Sequence, residues 1–190
     1  MDFRLLNENE IRSWHETELT RTFIPQECKP LEDIFRLIAE NRYEIWGLFD
    51  GAVLLGYTCL WKNPQVPLVL LDYLGVTAAR RSEGLGGKML QLLKAQGRPL
   101  VAESETEVVG DTVQANALRR RRIAFYQRNG FTTAYIMATC GMAWQALTHA
   151  PQLTVDEVMV QHRILYGPDR TDVVVPLPAG EAPTLPYWMK

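Results

Sequence analysis

The amino-acid sequence predicts a single α+β domain, a sheet of largely antiparallel strands interleaved with a few helices. Three observations predict it. Between Tyr43 and Val76, three apolar, aromatic-rich segments are separated by a two-residue turn signal, Asp50-Gly51, and by a breaker, Lys62-Asn63-Pro64. Two capping boxes, Asn7-Glu8-Asn9-Glu10 and Thr154-Val155-Asp156-Glu157, each stand at the head of a helix-period pattern. The chain has 190 residues and is 47% hydrophobic, enough to fill one core without metal or disulfide staples.

In chain order, a strand near Phe3–Leu6 runs into the first capped helix, with Leu6 and Ile11 as its hydrophobic staple. Pro30 precedes a second helix, whose Leu31, Ile34, Phe35 and Ile38 recur at helical spacing. Tyr43–Phe49, Ala52–Trp61 and Leu68–Val76 are three strands. A Gly-rich turn then leads into a helix carrying Leu85, Met89, Leu92 and Leu93, which Gly97 ends. Pro99–Glu103 is a short strand, and Val113–Arg128 a basic helix stopped by Asn129-Gly130. Phe131–Thr139 and Met142–Thr148 are strands joined at Cys140-Gly141. Val155, Val158, Met159, His162, Leu165 and Tyr166 form the stripe of a last helix that Gly167-Pro168 ends. The tail, 169–190, carries four prolines and is expected to be irregular.

Composition excludes several function classes. The formal net charge of −2 gives no global pull toward nucleic acid or anionic lipid. Cys28, Cys59 and Cys140 are few, odd in number and far apart, which argues against a disulfide framework or a zinc site and for a cytoplasmic location. No His, Cys, Asp and Glu grouping has metal-ligand spacing. No apolar run approaches the ~20 residues of a membrane span.

The chemistry concentrates in the turn 74–90. A strand ends, and a helix begins with Gly84, Gly86 and Gly87 in its first turn, flanked by Arg80, Arg81 and Lys88. Each helical glycine costs roughly 1 kcal/mol against alanine, so three together need a reason. Unpaired N–H groups and positive dipole character at a helix start suit a pyrophosphate, which glycines allow close to the backbone. The alternative is a turn that merely packs tightly. The segment is neither a P-loop nor GxGxxG.

Arg81-x-x-Gly84-x-Gly86 resembles the Arg/Gln-x-x-Gly-x-Gly/Ala signature of the GNAT acetyltransferase superfamily. Tyr126-Gln127-Arg128-Asn129-Gly130-Phe131, preceded by Phe125, resembles the segment that closes the GNAT core. One helix, one strand and one helix separate the two, as in the family. The resemblance covers 3–148 and implies a GNAT domain over 1–150, with 151–190 a C-terminal helix and Pro-rich tail packed on it. It also implies a V-shaped splay between the fourth and fifth strands, with acetyl-CoA lying in the V as co-substrate. Its pyrophosphate would rest on Arg81, Ser82, Glu83, Gly84, Leu85, Gly86, Gly87 and Lys88. Leu74, Gly75 and Val76 would meet the thioester, with the amide at Gly75–Val76 polarising its carbonyl.

An acceptor amine would then attack directly, with a base to remove its proton and an acid or hydrogen-bond donor for the leaving thiolate. Asp72, on an otherwise apolar strand, and Glu103, at the mouth of the V, are the candidate bases. The bland alternatives are a polar residue on a half-exposed strand face and a solvated loop charge. Tyr126 matches the family's general-acid tyrosine; the alternatives are a packed helix tyrosine or one that only hydrogen-bonds the sulfur. The family's Asn and Ala positions before this tyrosine hold Arg119 and Arg122 here, so Asn116, one helical turn upstream, and Arg122 are the candidates to reach the cofactor. The run Arg119–Arg122 otherwise reads as a solvated basic face with ion pairs, and His162 as a packed core histidine.

The acceptor implied is a small-molecule or peptide amine, in a pocket built from Trp14, His15, Glu16, Phe23 and the Cys140-Gly141 turn. The tail would cover this pocket or support a homodimer. The competing functions are a non-catalytic acyl-CoA-binding module and a nucleic-acid binder using the arginine run; net charge and the lack of interleaved exposed aromatics oppose the latter.

Overall fold

The computed structural model describes residues 1–189. Its strands are β1 (Asp2–Leu5), β2 (Tyr43–Asp50), β3 (Val53–Asn63), β4 (Val66–Val76), β5 (Leu100–Glu105), β6 (Thr132–Thr139) and β7 (Met142–His149). They form one sheet in the order β1-β2-β3-β4-β5-β7-β6. Every neighbouring pair is antiparallel except β4 and β5, which run parallel. The helices are α1 (Glu8–Trp14), α2 (Thr20–Thr22), α3 (Leu31–Ala39), α4 (Leu85–Lys94), α5 (Val113–Arg128) and α6 (Val155–Tyr166). A π-helical turn, His15–Leu19, joins α1 to α2, and no sequence signal announced it.

The expected strands are present, with no end shifted by more than two residues. The first hairpin turns at Gly51-Ala52 rather than Asp50-Gly51, because the positive φ of +58° falls on Gly51 and Asp50 still pairs with Val53. At the other hairpin Cys140 and Gly141 both take positive φ, 55° and 76°. The non-glycine position is held by Asp172, whose carboxylate accepts from the Cys140 N–H and the Thr139 hydroxyl.

Two cores lie on opposite faces of the sheet. Trp14, Leu19, Ile34, Tyr57, Leu70, Val101, Val158 and Leu165 belong to one, which packs beneath α1, α3 and α6. Val69, Leu71, Leu90, Leu93, Ala102, Phe131 and Leu147 belong to the other, beneath α4 and α5. Alternation along β4 and β5 sends successive side chains to opposite cores.

Residues 151–189 pack on the same sheet. The Asn63 side chain donates to the Ile164 carbonyl, and Arg42 to the carbonyls of Leu165 and Tyr166. Beyond α6 the chain pairs with the edge strand β6, where Val174 bridges Ala138 and the Leu177 N–H donates to Ile136. Thr154 caps α6, its hydroxyl accepting from the Glu157 N–H while the Glu157 carboxylate returns to the Thr154 N–H. Thr154→Ala is expected to lower stability by about 1 kcal/mol, read as a lower urea midpoint with unchanged m-value.

Candidate active site

Pairing between β4 and β5 is confined to Val69↔Leu100, Leu70↔Val101 and Leu71↔Ala102. Past that point β4 stays with β3 as far as Val76, and β5 stays with β7 as far as Glu105. The two parallel strands therefore diverge in a V, and the next residues in register are Asp72 and Glu103. A β-bulge marks the same place: Cys59 faces Tyr73 and Leu60 faces Leu71, which leaves Asp72 as the extra residue. The β5-facing edge of Tyr73–Val76 has no strand beside it. Gly75 belongs to that edge, and a Cβ there would sit 2.2 Å from the Tyr57 ring, so glycine is required.

A cleft of about 780 Å³ occupies the mouth of the V. Leu74, Phe125 and Tyr126 line it on the α5 side; Phe23, Ile24 and Glu27 line it on the α2 side; Cys140, Met142 and Trp144 line it on the β6–β7 side. Arg170 and Tyr166 bring the C-terminal region to its wall. Of the residues expected to form an acceptor pocket, Phe23 and Cys140 line this cleft. Trp14 is instead fully buried in the core, and His15 is spent on the Lys29 carbonyl, 3.0 Å away.

Asp72, expected as a candidate base, is engaged by a residue that carries no sequence signal. Lys29 places its ammonium 2.8 and 2.7 Å from the two oxygens of Asp72, and the Tyr43 hydroxyl donates to the same carboxylate. Both side chains are nearly excluded from solvent, at 5% and 9% exposure. Asp72 is thus neither a solvated strand residue nor a free base but half of a buried ion pair, walled by Trp61 and Tyr73. Lys29 lies in the irregular segment before α3, where no periodicity singles out a residue.

Glu103 accepts a 2.7 Å hydrogen bond from the Tyr166 hydroxyl. His162, fully buried on α6, holds Nε2 2.9 Å from Glu103 Oε1, close but off hydrogen-bond alignment, while its Nδ1 meets the Tyr135 hydroxyl at 2.8 Å. Burial and the Glu103 charge push the Tyr166 phenol well up. Glu27 was also unforeseen. Burial, reinforced by the Glu105 charge, raises its carboxyl to about 7.

Tyr126 is half-buried, its ring edge-on to Phe125 and Phe131. Its hydroxyl has no hydrogen-bond partner among the described residues. Burial pushes the phenol up to about 12, opposed by Arg122 and reinforced by Glu103. The Asn116 amide accepts from the Val108 N–H and donates to the Val108 carbonyl, closing the loop before α5. Arg122 pairs with Glu105, as does Arg119, which also reaches Asp111.

The Gly-rich turn continues from β4. The first helical bond of α4 is Lys88 N–H to Gly84 C=O, so the N–H groups of Leu85, Gly86 and Gly87 in its first turn have no intrahelical acceptor. Gly84 takes φ +76° and faces open space, so both glycine and an approaching ligand are accommodated there. Gly86 and Gly87 also have a packing reason. A Cβ at Gly86 would press on Phe125 at 3.2 Å, and one at Gly87 on Asn129 at 3.1 Å, so these two let α4 approach α5. Arg81 is exposed and forms no ion pair among the described residues, Glu83 pairs with Arg80, Ser82 takes φ +70°, Leu85 is buried, and Lys88 lies beside the Met1 sulfur.

The sequence profile described as "Acetyltransferase (GNAT) family" matches residues 8–131. The chain belongs to the GNAT acetyltransferase family. Among its relatives, YjbC of Bacillus subtilis, provisionally assigned as an acetyltransferase, is 36% identical over 122 residues, 64% of this chain and 58% of that protein. The match therefore spans little more than half of that relative's length. A GNAT-family structure from Bacteroides thetaiotaomicron superposes with a TM-score of 0.68 at 23% identity, covering 88% of this chain and 99% of its own. YncA of Salmonella typhimurium, solved with acetyl-CoA, gives 0.56 at 19% identity over 81% and 95% of the two chains. At these identities the structural likeness shows the GNAT fold. The profile match stops at Phe131, so β6, β7, α6 and the tail, which carry Cys140, Trp144, His162 and Tyr166, lie beyond it. No helix among the described residues is long and apolar enough to cross a membrane.

Proposed function

We propose that this GNAT protein transfers an acetyl group from acetyl-CoA to a primary amine on a small molecule or peptide, as a cytoplasmic enzyme. The observation that carries the proposal is the V itself: strand pairing stops at Leu71↔Ala102, and a cleft lined by carboxylates opens beyond it, with room for a thioester. The residues present fit the co-substrate. The N–H groups of the first turn of α4, Leu85 to Gly87, suit a pyrophosphate, with the exposed Arg81 side chain in the turn before them. The free edge of Leu74–Val76 offers backbone N–H groups to a polarised carbonyl. Acetyl-CoA, when bound, supplies an activated acyl group, and the protein orients the amine against it.

The Tyr126 hydroxyl, free of protein partners, donates a hydrogen bond to the departing sulfur. A phenol held near 12 gives up its proton poorly to a thiolate whose acid lies near ~8.5. Tyr126 is therefore a hydrogen-bond donor that keeps its proton, rather than a full general acid. In the cleft wall Asp72 is neutralised by Lys29 and Arg170 by Asp172, while Glu27 and Glu103 face Arg119, Arg121, Arg122 and Arg128 from α5.

The test is release of free CoA from acetyl-CoA across a panel of primary amines. Amine-dependent release is expected, and no release with any amine would overturn the catalytic reading. Arg81→Glu, on an exposed side chain, is expected to weaken acetyl-CoA binding roughly tenfold or more in calorimetry, without changing the melting temperature. A non-catalytic acyl-CoA-binding module is the second reading, favoured by the engagement of Asn116 with Val108 and of Asp72 with Lys29. Tight acetyl-CoA binding without turnover would select it.

A further inference from the structure

Four carboxylates line the cleft: Glu27, Asp72, Glu103 and Glu105. Three are occupied. Asp72 is held by Lys29 and Tyr43, Glu103 by Tyr166, and Glu105 by Arg119 and Arg122. Glu27 is the exception among the described residues; it forms no ion pair and accepts from no side chain. Its backbone is nevertheless fixed at the apex of the V. The Tyr73 hydroxyl, one residue past the bulge, donates to the Glu27 carbonyl, and two residues on Lys29 is pinned to Asp72 and to Tyr73. The segment is thus clamped to β4 beside the point where the strands part, with a carboxylate held by no cation and no side-chain donor, only by the Ile24 backbone N–H, lining the cleft.

We propose that Glu27 is the general base that takes the proton from the acceptor amine. This rests on the acetyl-transfer reading given above. The acceptor arrives as an ammonium, and only its neutral form has a lone pair. Glu27 takes the first proton and returns it to water through the open cleft. The bond that forms joins nitrogen to the acetyl carbon, and the bond that breaks joins that carbon to sulfur. The breaking pair goes to sulfur, where the second nitrogen proton neutralises it. A base works best when its pKa lies near the working pH, and burial puts Glu27 at about 7. The groups acting on it are Glu105 of β5, which opposes ionisation, and the Ile24 N–H, Arg122 of α5 and Lys29 of its own segment, which favour it. Glu27 must be ionised to act, so the rate falls as the pH drops through this value.

The experiment is the pH profile of kcat/KM for the full chain, with acetyl-CoA and an amine that supports CoA release, for wild type, Glu27→Gln, Glu27→Asp and Glu103→Gln. Glu27→Gln is expected to lose roughly 10²–10³-fold in kcat and to lose the acidic limb near neutrality, with acetyl-CoA affinity unchanged by calorimetry. Glu27→Asp is expected to recover part of the rate and keep the limb, and Glu103→Gln to keep it. The proposal is overturned if Glu27→Gln retains the rate and the limb. It is also overturned if Glu27→Gln raises only the amine KM, which would make Glu27 an ammonium contact, or if Glu103→Gln is the variant that removes the limb. An active wild type with an unaffected Glu27→Gln sinks this assignment alone, whereas a wild type inactive on every amine sinks the acetyl-transfer reading beneath it.

Discussion

Lys29→Met is expected to destabilise the fold by about 3–5 kcal/mol, because it leaves the Asp72 carboxylate buried without its cation. Lys29 and Asp72 are 5% and 9% exposed, so water cannot replace the lost partner. The same ammonium also bridges to Tyr73 at 3.3 Å, so the segment carrying Glu27 should loosen as well. Urea unfolding would read the loss as a lowered midpoint. Replacing both partners, Lys29→Met with Asp72→Leu, should recover most of it, since removing a whole buried pair is far cheaper than breaking one. A single-variant loss below about 1 kcal/mol would mean that the pair behaves as a surface ion pair.

Tyr126→Phe is expected to lower kcat by roughly 10²-fold while leaving the acetyl-CoA KM nearly unchanged. The ring packs against Phe125 and Phe131, and phenylalanine keeps those contacts. Only the hydroxyl is lost, and the protein makes no other use of it. The stability of the variant should therefore match the wild type, which separates a donor lost to the reaction from a packing defect. A rate within about twofold of wild type would place the donor elsewhere.

Much of the fold was legible because its signals are local. The capping boxes at Asn7 and Thr154 form as their spacing predicts, with both reciprocal hydrogen bonds. Gly130, at φ +83°, ends α5, and Cys140-Gly141 turns the last hairpin. The site was legible where it rests on backbone conformation, as at Gly84, and less so where it rests on distant side chains. Asp72 stood out as a carboxylate in an apolar strand, but its partner lies 43 positions earlier in a segment with no pattern. Glu27 is conspicuous only once the other cleft carboxylates are seen to be paired. Gly86 and Gly87 carry a second reason that the sequence did not show, the approach of Phe125 and Asn129 from the next helix. Asn116 had the right residue type in the right region, yet the loop it closes consumes both ends of its amide.

The central claim is that the Arg81–Gly87 turn holds the pyrophosphate of acetyl-CoA at the mouth of the V. Calorimetric titration of the wild-type protein with acetyl-CoA, set beside the same titration with acetyl-pantetheine, tests it most directly. Saturable binding of acetyl-CoA is expected, with a loss of at least two orders of magnitude, roughly 3 kcal/mol, for the truncated thioester, which has no pyrophosphate to offer the turn. No binding of acetyl-CoA, or equal binding of the two, would contradict it.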